Sequence, residues 1–324
     1  MITPLSEIHS LIIYIIFGYT LLLPLLLISL RIFDITSPLQ RSSLYLIAFL
    51  TPPAAFIIYH TVLVKRCQSG HIPIWSEHGF HLLCIISDSM LRVFLPLLGM
   101  LILFTLLKLA AARLLLKRLE AEATTLAPNK EKLVRTMIEK YSATLQIKPP
   151  RLIFSNRRDF AAFTTGIVKP VLVISKEMIS HLNNSELIAL LSHELIHIRH
   201  RDSLKSWALH LVRDLTFFNP LSTIIFKGYL REKEILCDQK AAELAGQSPQ
   251  QYAALLLKVW RSLIEHRLPR LGVISSFTGK DNIESRVEAL LNNTKEKRGF
   301  PTIATALLGL TIFTMTLLFL GFVC

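Results

Sequence analysis

His193-Glu194-Leu195-Ile196-His197 holds two imidazoles four residues apart, with a carboxylate beside the first. On a helix that spacing puts both rings on one face, one turn apart, where their nitrogens can converge on a metal ion. Glu194 then lies next to the ion without ligating it. Zinc lowers the pKa of a bound water to about 7, and a neighbouring carboxylate can take the proton as that water attacks a carbonyl. The pattern assigns Glu194 to catalysis and His193 and His197 to the metal. It arises by chance in a chain of this size about once in a hundred, so it needs a third ligand in its support.

Catalytic zinc takes three protein ligands and keeps one position open. Arg231-Glu232-Lys233-Glu234-Ile235-Leu236-Cys237-Asp238 offers candidates on a second helix. Glu232 and Glu234 point to opposite sides of a helix, so only one of them can face the ion. Glu234 has Asp238 one turn along on its own face, placed to orient a ligating histidine. Cys237 adds a thiolate as an alternative ligand, set against a buried structural cysteine.

The elements that carry these residues read as helical. From Asn183 the pattern is that of a helix: Asn183 with Glu186 forms a capping-box signature, and Leu187, Ile188, Leu191, Leu195 and Ile198 make an apolar stripe. Upstream, Glu131–Leu145 has helical periodicity, ended by Pro149 and Pro150. Arg151–Ser155 and Val171–Ser175 are β-branched-rich runs bounded by turn residues, and are read as strands. Val171, Leu172, Val173 and Ile174 are expected to receive the substrate as an added strand, because main-chain pairing fixes a scissile bond independently of side chains.

Around this polar segment the chain is too apolar for water. It is 52% hydrophobic and 18% charged with a mean hydropathy of +0.47, where soluble domains run near a quarter charged. Apolar stretches at about 11–30, 44–64 and 88–112 and a last one within 300–324 approach the roughly 20 residues that cross hydrocarbon as a helix. The first lacks a basic leader and a small-residue cleavage site, so it is read as a retained span. The expected organisation is a three-helix membrane domain over 1–117, a protease domain over 118–299 and a C-terminal transmembrane helix over 300–324.

Arg31 and Arg41, and then Arg113, Lys117 and Arg118, belong on the cytoplasmic side by the positive-inside rule. Residues 118–299 are then cytoplasmic and Cys324 outside. The +13 charge is not a nucleic-acid footprint: residues 109–300 hold 30 of the 36 basic and 19 of the 23 acidic residues, giving +11, with the signs interspersed. The expected partners are a protein substrate and the bilayer, with no direct nucleic acid; an oligomer is left open. Four cysteines without a CxxC pair exclude a disulfide scaffold and a cysteine-only zinc site.

The chain resembles the bacterial antirepressor-type integral-membrane zinc metalloproteases, the BlaR/MecR-like family of the β-lactam sensor-transducers. The likeness runs through Thr165-Gly166-Ile167-Val168-Lys169-Pro170, His193–His197 continuing to Arg201-Asp202, and Phe217-Phe218-Asn219-Pro220-Leu221, and on to Glu234–Asp238. It implies a mainly helical α+β gluzincin domain with four transmembrane helices in a bacterial inner membrane. It implies Glu234 as third zinc ligand, with Asp238 and Asp202 orienting the imidazoles. It also implies regulated cleavage of a cytoplasmic protein, a helix-turn-helix repressor being the candidate. The alternatives are a housekeeping quality-control zinc protease and a non-enzymatic, metal-stabilised receptor. The sensor-transducers continue past the fourth span and this chain stops at Cys324, so the β-lactam-sensing role is not carried over. Self-cleavage is expected between Ser276 and Phe277, in a Gly- and Ser-rich stretch of the kind that is nicked when exposed.

Overall fold

A computed structural model describes residues 4–58, 99–156 save 101 and 112, 162–166, 169–265, 280–292 and 301–323. Among the described residues the chain is mostly helical with one small sheet, and it divides into two compact units. Much of the expected third span, and the expected cleavage site at Ser276 and Phe277, lie outside the described residues.

The first unit takes Met1–Leu107, Leu211–Tyr229 and Arg298–Cys324. Its helices α1 (Pro4–Ile32) and α2 (Pro38–Ile58) pack along each other, and α10 (Thr302–Val323) packs on both. Two of its segments, Leu11–Ile32 and Pro38–Ile58, are long and apolar enough to cross a membrane, and Ile303–Thr316 is a shorter apolar helix. Tyr19 is fully buried and its hydroxyl donates to the Phe49 carbonyl at 2.7 Å, which satisfies the one polar atom the ring carries inward.

The second unit takes Lys108–His210 and Leu230–Lys297. Helix α3 (Pro128–Thr144) leads to strands β1 (Arg151–Ser155), β2 (Ala162–Thr165) and β3 (Val171–Ser175). The short α4 (Lys176–His181) precedes α5 (Asn184–Arg199). Then come α6 (Asp202–Leu215), whose end from Leu211 belongs to the first unit, α7 (Pro220–Ala245), which belongs to this unit from Leu230, α8 (Pro249–Glu265) and α9 (Lys280–Asn292).

Helix α5 forms where its sequence says it should. Asn183 accepts from the Glu186 amide and the Glu186 carboxylate accepts from the Asn183 amide, both at 2.9 Å, a reciprocal cap that satisfies two orphan donors. Leu187, Leu191 and Leu195 are buried along one stripe, packed in the same core as Leu172 and Ile174 of β3 and Leu256 of α8. That burial fixes the rotation of the helix and with it the direction of the two histidines.

The sheet corrects one expectation. Its order is β1-β3-β2, with β3 parallel to β1 and antiparallel to β2. Val171, Leu172, Val173 and Ile174 therefore lie on the central strand, buried and already paired on both sides. No hydrogen-bonding edge is left there for a substrate strand. Among the described residues the outer side of β2 pairs with nothing. Gly166 turns β2 into β3 with φ of +94°, where a Cβ would stand 2.3 Å from the Lys169 carbonyl oxygen, so the turn needs glycine.

Candidate metal centre

Helix α5 brings His193 and His197 together edge to face, with their Nε2 atoms 3.0 Å apart. Helix α7 presents Glu234 to both: Oε2 is 3.6 Å from His193 Nε2, and Oε1 is 3.7 Å from His197 Nε2. Glu232 is buried elsewhere, beside Arg231, so of the two glutamates Glu234 is the one facing the histidines.

The outer ring nitrogens have their own partners. His193 Nδ1 lies 3.0 Å from Asp238 Oδ1, and His197 Nδ1 lies 2.9 Å from Asp202 Oδ2. A carboxylate only accepts, so each Nδ1 carries a proton, and with both rings neutral the two Nε2 lone pairs face each other. Glu234 Oε2 is buried without a hydrogen-bond donor; Arg286 Nη1 stands 3.3 Å away but outside hydrogen-bond geometry. Three electron-pair donors turned on one point repel unless a cation lies among them. The residues fit a divalent metal held by His193, His197 and Glu234.

The charge distribution points the same way. Burial disfavours the His193 imidazolium, yet Asp238 and Glu234 raise its pKa to about 9. Burial likewise opposes charge on His197, and Cys237, Asp202 and Glu234 together hold its pKa well above the usual histidine range. Burial pushes Glu234 and Asp238 up, but both titrate lower than usual, Glu234 through His193 and Arg286, and Asp238 through Arg286 and His193. This cage favours positive charge where the imidazoles meet.

Glu194 is buried beside the pair and outside the ligand set. Burial raises its pKa against the pull of His193 and His197, with the Thr164 side chain on β2 also lowering it. A carboxylate made more basic by its surroundings is suited to take a proton.

His197, Asp202 and Cys237 form a second cluster of potential ligands. It depends on His197 Nδ1, which Asp202 already engages, and Lys233 Nζ stands 3.2 Å from the other Asp202 oxygen. Cys237 is fully buried with its sulfur 3.7 Å from His197 Nδ1. The geometry favours the first cluster and leaves Asp202 to orient His197.

Two participants escape the sequence reading. Arg286 on α9 is fully buried and grips Asp238 with two parallel bonds, Nε to Oδ2 at 2.6 Å and Nη2 to Oδ1 at 2.7 Å. Tyr252 on α8 donates its hydroxyl to Asp238 Oδ1 at 3.3 Å. The signal for Arg286 was a cation set into the buried face formed by Ile283 and Leu290.

Over residues 86–290 the chain matches the family described as BlaR1 peptidase M56. A 131-residue stretch is 28% identical to the Regulatory protein BlaR1 of Bacillus licheniformis, covering 40% of this chain and 21% of that protein. A stretch of 217 residues is 24% identical to the Protease HtpX homolog of Methanopyrus kandleri, covering 51% of this chain and 68% of that one. The chain thus spans about a fifth of the length of the first relative and about two thirds of the second.

Proposed function

The chain belongs to the BlaR1 peptidase M56 family, and from that premise we propose that it is a zinc-dependent membrane endopeptidase of the gluzincin type. The observation that carries the reading is the convergence of His193, His197 and Glu234 on one point with Glu194 beside them. Zinc held there would supply a Lewis acid that polarises the scissile carbonyl and acidifies a water. Glu194 takes the proton of the attacking water and returns it to the leaving amine. Asp238 and Asp202 hold the imidazoles in the tautomer that offers Nε2. The substrate pairs with the outer edge of β2, the strand packed against α5.

One assay tests both parts. The purified full-length chain should cut an unfolded reporter, stop on chelation and recover with zinc; cleavage that survives chelation refutes the metal role. A peptide with N-methylated amides beside the scissile bond should be cut about 2–10-fold more slowly per lost bond. Equal rates would remove the β2 edge from the proposal.

The reading includes regulated cleavage of a cytoplasmic protein, with a helix-turn-helix repressor as candidate. The match to the HtpX homolog favours a second reading, turnover of many membrane proteins. Deleting the gene should raise one cytoplasmic protein under the first and a broad set of membrane proteins under the second. A receptor without enzyme activity has no need of Glu194.

The arrangement proposed from the basic residues is four spans, with the active-site unit cytoplasmic and Cys324 outside. Membrane-impermeant thiol reagents on intact bacteria should label Cys324 and spare the buried Cys237. Labelling from outside of a cysteine placed at Lys140 would invert this orientation.

A further inference from the structure

We infer that the connection between α6 and α7 is a re-entrant membrane hairpin, in which Leu211–Tyr229 lies at the depth of α1 and α2 and turns Leu215, Phe217 and Ile224 to lipid acyl chains. The inference rests on reading α1 and α2 as membrane spans. The Lys and Arg pattern of the sequence places this whole stretch in the cytoplasm. Its contacts do not.

The segment clusters with the apolar helices rather than with the active-site unit. Asn219 is buried and its Nδ2 donates to the Ile15 carbonyl at 3.1 Å. Ile15 stands 17 residues from Ile32 within the candidate span Leu11–Ile32, about 25 Å along a helix, where the hydrocarbon is about 30 Å thick. From there α7 runs back along α2. Phe226 meets Phe49 with ring centroids 5.3 Å apart, and Gly228 passes so close to Tyr45 that a Cβ would fall 2.4 Å from the ring. Those contacts step from residue 49 to 45, toward the end of α2 that joins α1. The hairpin therefore enters from that end and turns at Asn219.

Non-helical backbone is tolerated at membrane depth only where its polar groups are met by protein. This turn meets them. Asn219 N donates to the Thr216 carbonyl at 3.0 Å, and Asn219 Oδ1 accepts from Leu221 N at 2.9 Å. The Thr216 hydroxyl donates to Ser222 Oγ at 3.1 Å, and the Ser222 hydroxyl donates to the Asn219 carbonyl at 2.7 Å. Arg213 is paired with Asp214 through Nε at 2.9 Å, with its guanidinium over the Phe226 ring, as a charge at this depth requires. The exposed side chains nearest the turn are apolar, Leu215, Phe217 and Ile224 being 39%, 46% and 51% exposed, and the exposed charge of Lys227 lies toward the end where the hairpin enters. Continuity with α1 and α2 identifies the bilayer as what covers them.

The test places single nitroxide-labelled cysteines on the full chain in lipid nanodiscs, with Cys67, Cys84 and Cys324 changed to Ser. Phe217→Cys and Ile224→Cys report on the hairpin. Leu27→Cys, exposed on α1, serves as lipid reference, and Glu139→Cys, exposed on α3, as water reference. Collision with oxygen, which partitions into lipid, is compared with collision with a water-soluble nickel chelate. The oxygen-to-nickel ratio at 217 and 224 should match that at 27 and exceed that at 139 about ten-fold or more. Ratios matching 139 while 27 stays lipid-like overturn the hairpin. Shielding of 217 and 224 from both reagents assigns the face to protein and overturns it too. A water-like ratio at 27 shows that α1 is no span, and the inference falls with that reading.

Discussion

Glu194→Gln should bind about one zinc per chain and cut substrate about a thousand-fold more slowly or not at all, as expected for loss of a general base. The amide keeps the size of the carboxylate in a buried position, so the core around it is undisturbed. It cannot take a proton. His193→Ala, His197→Ala and Glu234→Ala should fail differently, by losing the metal, because three protein ligands are the minimum for a catalytic site. Elemental analysis of each purified variant beside its proteolysis rate separates the two kinds of failure. Full activity in Glu194→Gln, or undiminished zinc in His193→Ala, would contradict the assignment.

The second large effect is expected at Arg286. Its guanidinium is the counter-charge of Asp238 and stands 3.3 Å from Glu234, all three side chains being nearly excluded from water. Arg286→Met keeps an apolar stem of similar length and strands the Asp238 carboxylate, which costs about 3–5 kcal/mol. Denaturant unfolding of the full chain in detergent measures it. Removing the stranded anion as well should recover part of the loss, so Arg286→Met with Asp238→Asn should be more stable than Arg286→Met alone. Arg286→Lys restores charge without the two-pronged grip and should fall between wild type and Arg286→Met. A double variant as unstable as the single one would show that ion pairing is not what Arg286 contributes.

The contrast between these two residues shows how far the sequence could be read. The place of Glu194 between His193 and His197 was legible because it is local: the helix, its cap at Asn183, its stripe at Leu187, Leu191 and Leu195, and the spacing of the histidines all lie within residues 183–199. Strands β1 and β3 were legible for the same reason, being short β-branched runs between turn residues. Arg286 and Tyr252 were not, since their roles depend on docking to Asp238 across 48 and 14 residues. Strand β2, Ala-Phe-Thr-Thr, is β-prone in three residues but only four long and without alternating burial, so its pairing with β3 is what reveals it. Missing it made β3 look like an edge. The hairpin inferred at Asn219 departs from the cytoplasmic placement because charge counting weighs Arg213 and Lys227 but cannot see Asp214 beside the arginine or Ile15 beneath the asparagine.

The meeting of α5, α7, α8 and α9 on the single carboxylate of Asp238 sets a timetable for synthesis. His193, Glu194, His197 and Glu234 are all translated before Tyr252, and Arg286 comes some 50 residues after Glu234. A chain still on the ribosome can carry the complete ligand set while Asp238, which holds His193 in place, lacks its cation. The pairing that completes the centre therefore waits for α9 to fold back onto Asp238.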